Sequence, residues 1–90
     1  MVRISQEKVN TIKSNILSHL FEIFPRALFT AEIAKSEARD EEFTKSIMFD
    51  LKGKGLVILI KQNKKGIKYL KRMRWRLTNK AYNAYKQHQG

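Results

Sequence analysis

The residues best suited to chemistry in this sequence are cations, and they are concentrated in its C-terminal half. From Leu51 to Gly90 there are twelve lysines and arginines and no aspartate or glutamate, whereas residues 1–50 hold seven bases and eight acids. A block of charges of one sign repels itself unless an anionic partner neutralises it. We therefore expect a nucleic-acid ligand, in preference to an anionic membrane surface.

The arginines of this block are spaced for phosphate binding. Between Ile67 and Leu77 the odd positions are mostly apolar, and the even positions carry Lys68, Arg72, Arg74 and Arg76. In a strand this alternation places the cations on one face, where planar guanidinium groups can bind phosphate through paired hydrogen bonds. The alternative is a solvated outer face that protects an edge strand from aggregation.

Seven further residues complete the predicted nucleic-acid site. Lys61, Lys64 and Lys65 lie in a segment of turn composition, where the alternative is an exposed, flexible loop. Lys45 and Ser46 lie on a predicted helix and can contact phosphates or base edges, unless they only form its wet surface. Lys52 and Lys54 are expected to flank the site.

Other kinds of site find little support in the residue types. The chain has no cysteine, and its two histidines, His19 and His88, are far apart without a neighbouring ligand motif. Glu41 and Glu42 point in different directions on a helix and fit its positive N-terminal end better than acid–base catalysis. We expect no metal site, no cofactor and no enzymatic activity.

Two helices are predicted ahead of these sites. Ser5 is expected to cap a helix reaching about Phe24, because apolar residues recur there every three or four positions and Pro25 disfavours helical geometry before it. Thr30 is expected to cap the second helix, and residues 36–39 are expected to form a turn.

A third helix and a hairpin follow. Asp40 is the expected cap of a helix reaching about Lys52, and Gly53 and Gly55 are expected to end it in left-handed conformations. Its predicted inward residues are Thr44, Ile47, Met48 and Leu51, and Phe43 and Phe49 are expected to form core or dimer contacts. Leu56–Ile60 and Ile67–Leu77 are predicted as strands, and Thr78 as the cap of a last helix to about Gln87.

Three segments of the chain resemble the winged helix-turn-helix superfamily. Phe29-Thr-Ala-Glu-Ile-Ala-Lys35 is similar to the start of its second helix, and Leu51-Lys-Gly-Lys-Gly-Leu-Val57 to its link between recognition helix and wing. Arg74-Trp-Arg-Leu-Thr78, with the following Asn79-Lys-Ala-Tyr82, is similar to the close of the wing. The resemblance implies an α+β fold in the order α-α-α-β-β-α with a long basic β-hairpin wing, and covers nearly the whole chain.

The resemblance also implies a function. Helix 41–52 would occupy the major groove of double-stranded DNA, and hairpin 61–76 would contact its phosphates. We expect a transcriptional regulator or chromatin-associated protein, cytoplasmic and nucleoid-associated. Two alternatives stay open: an RNA-binding protein, and a protein-interaction module, for which the acidic segment Glu37–Glu42 and exposed phenylalanines would argue.

The chain is expected to form one domain over residues 1–90, with short tails at 1–4 and 88–90. The resemblance also implies a homodimer through the first and last helices, and the broad apolar stripe of the first helix and Tyr82 and Tyr85 on the last are compatible with it. The alternative is that this stripe faces the core of its own chain on several sides.

Overall fold

A computed structural model of the chain describes residues 5–60 and 73–89. Within these ranges the order of elements is α1 (Gln6–Ile23), β1 (Leu28–Phe29), α2 (Thr30–Glu37), α3 (Glu41–Gly53), β2 (Val57–Ile60), β3 (Arg74–Leu77) and α4 (Asn79–Gln89). The predicted order is correct except for β1, which the sequence analysis missed. A strand of two residues is too short to produce a periodic pattern.

Three helices begin at the residues predicted to cap them. The Ser5 hydroxyl accepts a hydrogen bond from the Lys8 amide at 3.2 Å, and the Asp40 carboxylate accepts one from the Phe43 amide at 2.6 Å. Thr78 does the same for the Ala81 amide at 3.0 Å. Each cap satisfies an amide that the first turn of a helix leaves without an intrahelical partner.

The start of α2 differs from the prediction. Thr30 is the first helical residue rather than the cap, and the Glu32 carboxylate accepts a hydrogen bond from the Phe29 amide at 2.9 Å. The helix then continues through Glu37, so the predicted turn is shorter, and Ala38 ends it in a left-handed conformation with φ of 55°.

The end of α3 also differs in detail. The helix includes Gly53, and Gly55 has the expected positive φ, at 75°. Among the described glycines only Gly55 adopts that conformation. Left-handed geometry at this one position reverses the chain between α3 and β2, because glycine has no Cβ to clash.

The three strands form one antiparallel sheet in the order β1-β3-β2. Trp75 pairs with Leu28 on one side and with Leu59 on the other, while Arg76 pairs with Ile58. The predicted alternation is confirmed over residues 73–77, where the odd positions are buried and Arg74 and Arg76 lie half-buried on the opposite face. The rest of the predicted strand and the turn, residues 61–72, lie outside the described residues.

The core lies between the helices and the inner face of the sheet. The four predicted inward residues of α3 are all buried. They pack with side chains from α1, α2, the sheet and α4, namely Ile12, Ile16, Leu20, Ile33, Val57, Met73, Trp75, Leu77 and Ala81. No helix in the described part of the chain is both long and apolar enough to span a bilayer.

A buried polar contact joins the sheet to α2. The Thr30 hydroxyl accepts a hydrogen bond from the Trp75 indole nitrogen at 2.8 Å and donates one to the Met73 carbonyl at 3.3 Å. The Thr30 amide also donates to that carbonyl, at 3.0 Å. Trp75 is fully buried, so its indole N–H has no access to water as a substitute acceptor.

Thr30→Val is expected to lower the free energy of unfolding by about 1–3 kcal/mol, because it leaves the buried Trp75 N–H without an acceptor. Thr30→Ser is the matched control, since it keeps the hydroxyl, and it is expected to be the milder variant. Urea unfolding followed by tryptophan fluorescence measures both. Equal stability of the valine and serine variants would contradict this role for the hydroxyl.

Candidate nucleic-acid interface

The exposed surface of α3 lies opposite the four side chains that it buries. Glu42, Ser46, Phe49 and Gly53 are exposed and recur at three- and four-residue steps, so they share one face of the helix. We call these four residues the outer face of α3. Lys45 is half-buried and Lys52 is exposed, and by helical spacing both lie along one edge of this face. The Ser46 hydroxyl donates to the Phe43 carbonyl at 2.7 Å.

Asp50 is exposed, but ion pairs join it to two lysines. Lys13 of α1 donates a hydrogen bond to its carboxylate, and the Lys54 ammonium lies 3.4 Å from the same oxygen. The hydrogen bond from Lys13 is the largest cause that lowers the pKa of Asp50, and the charges of Lys13 and Lys54 add to it. An acidic residue of α3 that would repel phosphate is therefore matched by two cations.

Other acidic side chains serve the fold. Asp40 caps α3, Glu32 binds the backbone at the start of α2, and Glu37 accepts a hydrogen bond from Asn15 of α1 at 3.3 Å. Glu41 and Glu42 lie in the first turn of α3, where the helix dipole favours negative charge. Most of the segment Glu37–Glu42 thus has a structural explanation within the chain.

Arg74 and Arg76 lie beside aromatic rings on the outer face of the sheet. The Arg74 guanidinium carbon is 5.9 Å from the centre of the Phe29 ring, and that of Arg76 is 5.9 Å from the centre of the Phe24 ring. Arg76 also donates to the Leu77 carbonyl at 2.9 Å. A guanidinium held over a ring still presents N–H groups at its edge, which suits phosphate binding.

The predicted site residues are therefore distributed over two elements of the described structure. Lys45, Ser46 and Lys52 lie on α3, with Lys54 directly after it, and Arg74 and Arg76 lie on β3. The other five predicted residues lie outside the described residues: Lys61, Lys64, Lys65, Lys68 and Arg72. Lys13, Phe24 and Phe29 were not predicted as part of the site, because their roles depend on partners distant in sequence.

The C-terminal half of α1 packs against α4 through aromatic rings. The Phe21 ring centre lies 5.0 Å from those of both Tyr82 and Tyr85, and Phe24 stacks on Tyr82 at 4.1 Å. The Tyr85 and Ser18 hydroxyls are 2.8 Å apart. Both tyrosines, expected at a dimer interface, thus make contacts within their own chain. Part of the broad apolar stripe of α1 is therefore covered by α4 of the same chain.

No group of three or more histidine, aspartate or glutamate side chains able to hold a metal ion occurs among residues 5–60 and 73–87. Trp75 packs in the core, and Phe43 is half-buried against that core as expected. Phe49, by contrast, remains 41% exposed while it contacts Trp75.

Comparison with known proteins supports the fold. No protein-family model and no curated protein matches the sequence. The chain is similar to a solved transcriptional regulator homologue from Pyrococcus horikoshii OT3, with a TM-score of 0.69 and 18% identity over 91% of this chain and 78% of that one. It is also similar to a double mutant of ZitR from Lactococcus lactis, with a TM-score of 0.68 and 20% identity over 92% of this chain.

A third similar structure is a MarR family transcriptional regulator from Silicibacter pomeroyi DSS, with a TM-score of 0.68, 20% identity and 92% of this chain covered. The chain spans 58% of the length of the ZitR chain and 52% of this regulator. These similarities confirm the winged helix-turn-helix fold predicted from the sequence.

Asp50→Asn is expected to destabilise the protein at neutral pH and to have little effect in acid. The lowered pKa of Asp50 means that its ion pair adds stability above the unfolded-state pKa of about 3.9, and that this stability is lost as the pH falls through the lower folded-state value. Thermal unfolding of both proteins between neutral pH and pH of about 2 measures the difference.

Lys13→Met serves as the control for this experiment. It removes the main partner of Asp50, so Asp50→Asn should cause a smaller pH-dependent loss in the Lys13→Met background, where only Lys54 still pairs with the carboxylate. A destabilisation by Asp50→Asn that stays constant across the whole pH range would contradict the assignment.

Proposed function

We propose that this chain binds double-stranded DNA and acts as a regulator of transcription, with α3 in the major groove and hairpin 61–76 along the phosphates. The observation that carries the proposal is the charge distribution across a winged-helix fold. The twelve cations of the acid-free segment from Leu51 to Gly90 include Lys54 directly after α3, Arg74 and Arg76 on β3, and Lys80 in the first turn of α4. The solved structures that it resembles are themselves described as transcription regulators.

The charge pattern of α3 is compatible with a position in the major groove. Asp50 is paired with Lys13 and Lys54, and the remaining acids of the helix lie in its first turn. At the other end, Lys52 and Lys54 are exposed beside the outer face. We assign Lys45, Lys52 and Lys54 to the phosphates that border the groove and Ser46 to phosphate or base edges.

The hairpin supplies most of the proposed affinity. Arg74 and Arg76 are held beside Phe29 and Phe24 on the outer face of the sheet, which limits the side-chain freedom that binding to phosphate would remove. We assign the same role to the five cations of the hairpin that lie outside the described residues: Lys61, Lys64, Lys65, Lys68 and Arg72. Such contacts are largely independent of base sequence.

The protein-interaction alternative has less support in the structure than in the sequence. It relied on the acidic segment Glu37–Glu42 and on exposed phenylalanines. Within that segment Glu37 binds Asn15 and Asp40 caps α3, and of the two phenylalanines of α3 Phe43 is half-buried while Phe49 is exposed. The RNA-binding alternative requires aromatic surfaces for base stacking or preference for an A-form duplex. Phe24 and Phe29 have arginines beside their rings, which disfavours stacking by bases at those faces.

A homodimer through α1 and α4 belongs to the same proposal. Tyr82 and Tyr85 are half-buried against α1 of the same chain, so the contact would be made by the parts of these side chains that stay exposed and by the neighbouring surface of α4. A two-fold dimer would present two copies of α3 to half-sites about one helical turn of DNA apart. We also propose that the protein acts in the cytoplasm, associated with the nucleoid.

DNA affinity is expected to fall steeply with salt, with a slope of log K against log salt of about −0.9 for each phosphate neutralised. Lys52→Gln should make this slope less steep by about that amount. Lys35→Gln is the matched control, because it removes an exposed lysine from α2, outside both the residues assigned to DNA and the proposed dimer contact. Fluorescence anisotropy with a random-sequence duplex measures all three proteins.

A wild-type slope near zero would contradict phosphate binding as the source of affinity. Equal changes for Lys52→Gln and Lys35→Gln would show that total charge, rather than the position of Lys52, determines binding. Competition with duplex RNA in the same assay tests the RNA alternative, and B-form DNA is expected to bind more tightly.

Sedimentation equilibrium over a range of protein concentrations is expected to show a reversible dimer, because part of α1 and α4 stays available after the chain has folded. Tyr85→Lys is expected to weaken association by adding a charge to the proposed contact. A monomer at every concentration would contradict the dimer while leaving DNA binding by a single domain intact.

A further inference from the structure

Phe49 has an apolar ring exposed at the centre of the outer face of α3. Its exposed fraction is 41%, and among the described residues only Phe29 is a comparably exposed large apolar side chain, at 38%. Exposing a phenylalanine forgoes the stabilisation that burial of its apolar surface would provide. The position of Phe49 on the proposed recognition helix indicates a contact with the ligand.

The ring of Phe49 packs against Trp75 of the core. It stands edge-on to Trp75, with ring centres 5.3 Å apart and an angle of 88° between the planes. Trp75 is fully buried and hydrogen-bonded to Thr30. Because the ring of Phe49 already packs against a buried, hydrogen-bonded indole, ordering Phe49 against a ligand costs less conformational entropy than ordering an uncontacted side chain.

The neighbours of Phe49 on the outer face offer few hydrogen bonds for reading bases. Recognition of guanine or adenine commonly uses arginine, lysine, asparagine or glutamine. The outer face instead carries Glu42, Gly53 and Ser46. The Ser46 hydroxyl donates to the Phe43 carbonyl in the free protein, and it would have to leave that carbonyl to donate to a phosphate or a base.

Gly53 leaves room for a close approach to this face. It lies one turn after Phe49, and the space where a side chain would begin is open, with no atom within 4 Å. The packing of the fold therefore does not require a glycine at this position. A missing side chain beside an exposed ring lets the wall of a groove come close to the helix.

We propose that Phe49 recognises thymine in the major groove through contact between its ring and the 5-methyl group. This inference rests on the proposed function and adds the base that α3 selects. The methyl group is the apolar feature on the major-groove edges of the base pairs, and phenylalanine is a residue type that contacts it. The cations at the border of the outer face supply the attraction that brings the ring to the bases.

The experiment begins with selection from a random duplex DNA library at physiological salt with excess non-specific competitor. Enrichment of thymine at one or more positions is expected. The recovered duplex is then synthesised again with deoxyuridine at those positions, which removes the methyl and keeps the base pairing. Affinity of the wild-type protein is expected to fall about fourfold for each 5-methyl group that the ring contacts and the substitution removes.

Phe49→Ala tests whether the ring is responsible. This variant should bind the thymine duplex more weakly and should no longer distinguish it from the deoxyuridine duplex. Phe29→Ala is the matched control, because it removes a ring of similar exposure from the sheet instead of α3. It is expected to weaken binding to both duplexes equally, because Phe29 supports Arg74, and to keep the distinction between them. Circular dichroism of both variants verifies folding, and the thymine-to-deoxyuridine comparison on the wild-type protein needs no variant.

The outcomes separate this inference from the proposed function. If wild-type protein retains no duplex, both are overturned. Three outcomes would overturn the role of Phe49 while DNA binding stands. The wild-type protein retains duplexes without enriching thymine, or it binds the thymine and deoxyuridine duplexes equally. The third outcome is that Phe49→Ala still distinguishes the two duplexes.

Discussion

The placement of one indole ring governs much of this structure. Trp75 lies in the central strand, pairs with strands on both sides and is fully buried among the helices. Burying so large a side chain stabilises the fold only if its N–H has an acceptor, which Thr30 provides at the start of α2. The Thr30 hydroxyl is buried as well, and it accepts from Trp75 while it donates to the Met73 carbonyl.

This arrangement links the core to the proposed recognition surface. The same indole that fills the centre of the sheet supports the ring of Phe49 on α3. Since interiors are closely packed, the position of α3 relative to the sheet is coupled to the position of Trp75. Its two neighbours in β3, Arg74 and Arg76, necessarily lie on the other face of the sheet, where they contact Phe29 and Phe24.

Charge is divided between folding and the proposed binding. Four acidic side chains of the first half make contacts that position helices: Glu32, Glu37, Asp40 and Asp50. Lys13 is used in the same way, since it joins α1 to α3 through Asp50. Asp50 also pairs with Lys54, which makes a second lysine–aspartate contact at this helix. The segment from Leu51 to Gly90 contains twelve lysines and arginines and no aspartate or glutamate that could neutralise them. That imbalance favours a polyanionic ligand.

Local rules were sufficient to predict several features from the sequence. The caps at Ser5, Asp40 and Thr78 bind amides three residues away, and the buried residues of α3 and β3 follow the periods of a helix and a strand. Similar solved structures confirm the winged-helix fold that this order of elements and the motifs predicted.

The tertiary structure decided what depends on distant partners. Thr30 is locally a reasonable helix cap, and it becomes a core hydrogen-bonding residue only because Trp75, far along the chain, needs an acceptor. Asp50 is an outward acid by helical spacing until α1 brings Lys13 beside it, and Tyr82 and Tyr85 are free aromatic surface until α1 covers part of them. The spacing of apolar residues and the capping residues specify which face of a helix or strand is buried and where the element begins. Which residue of another element each side chain contacts is decided by how the elements pack together.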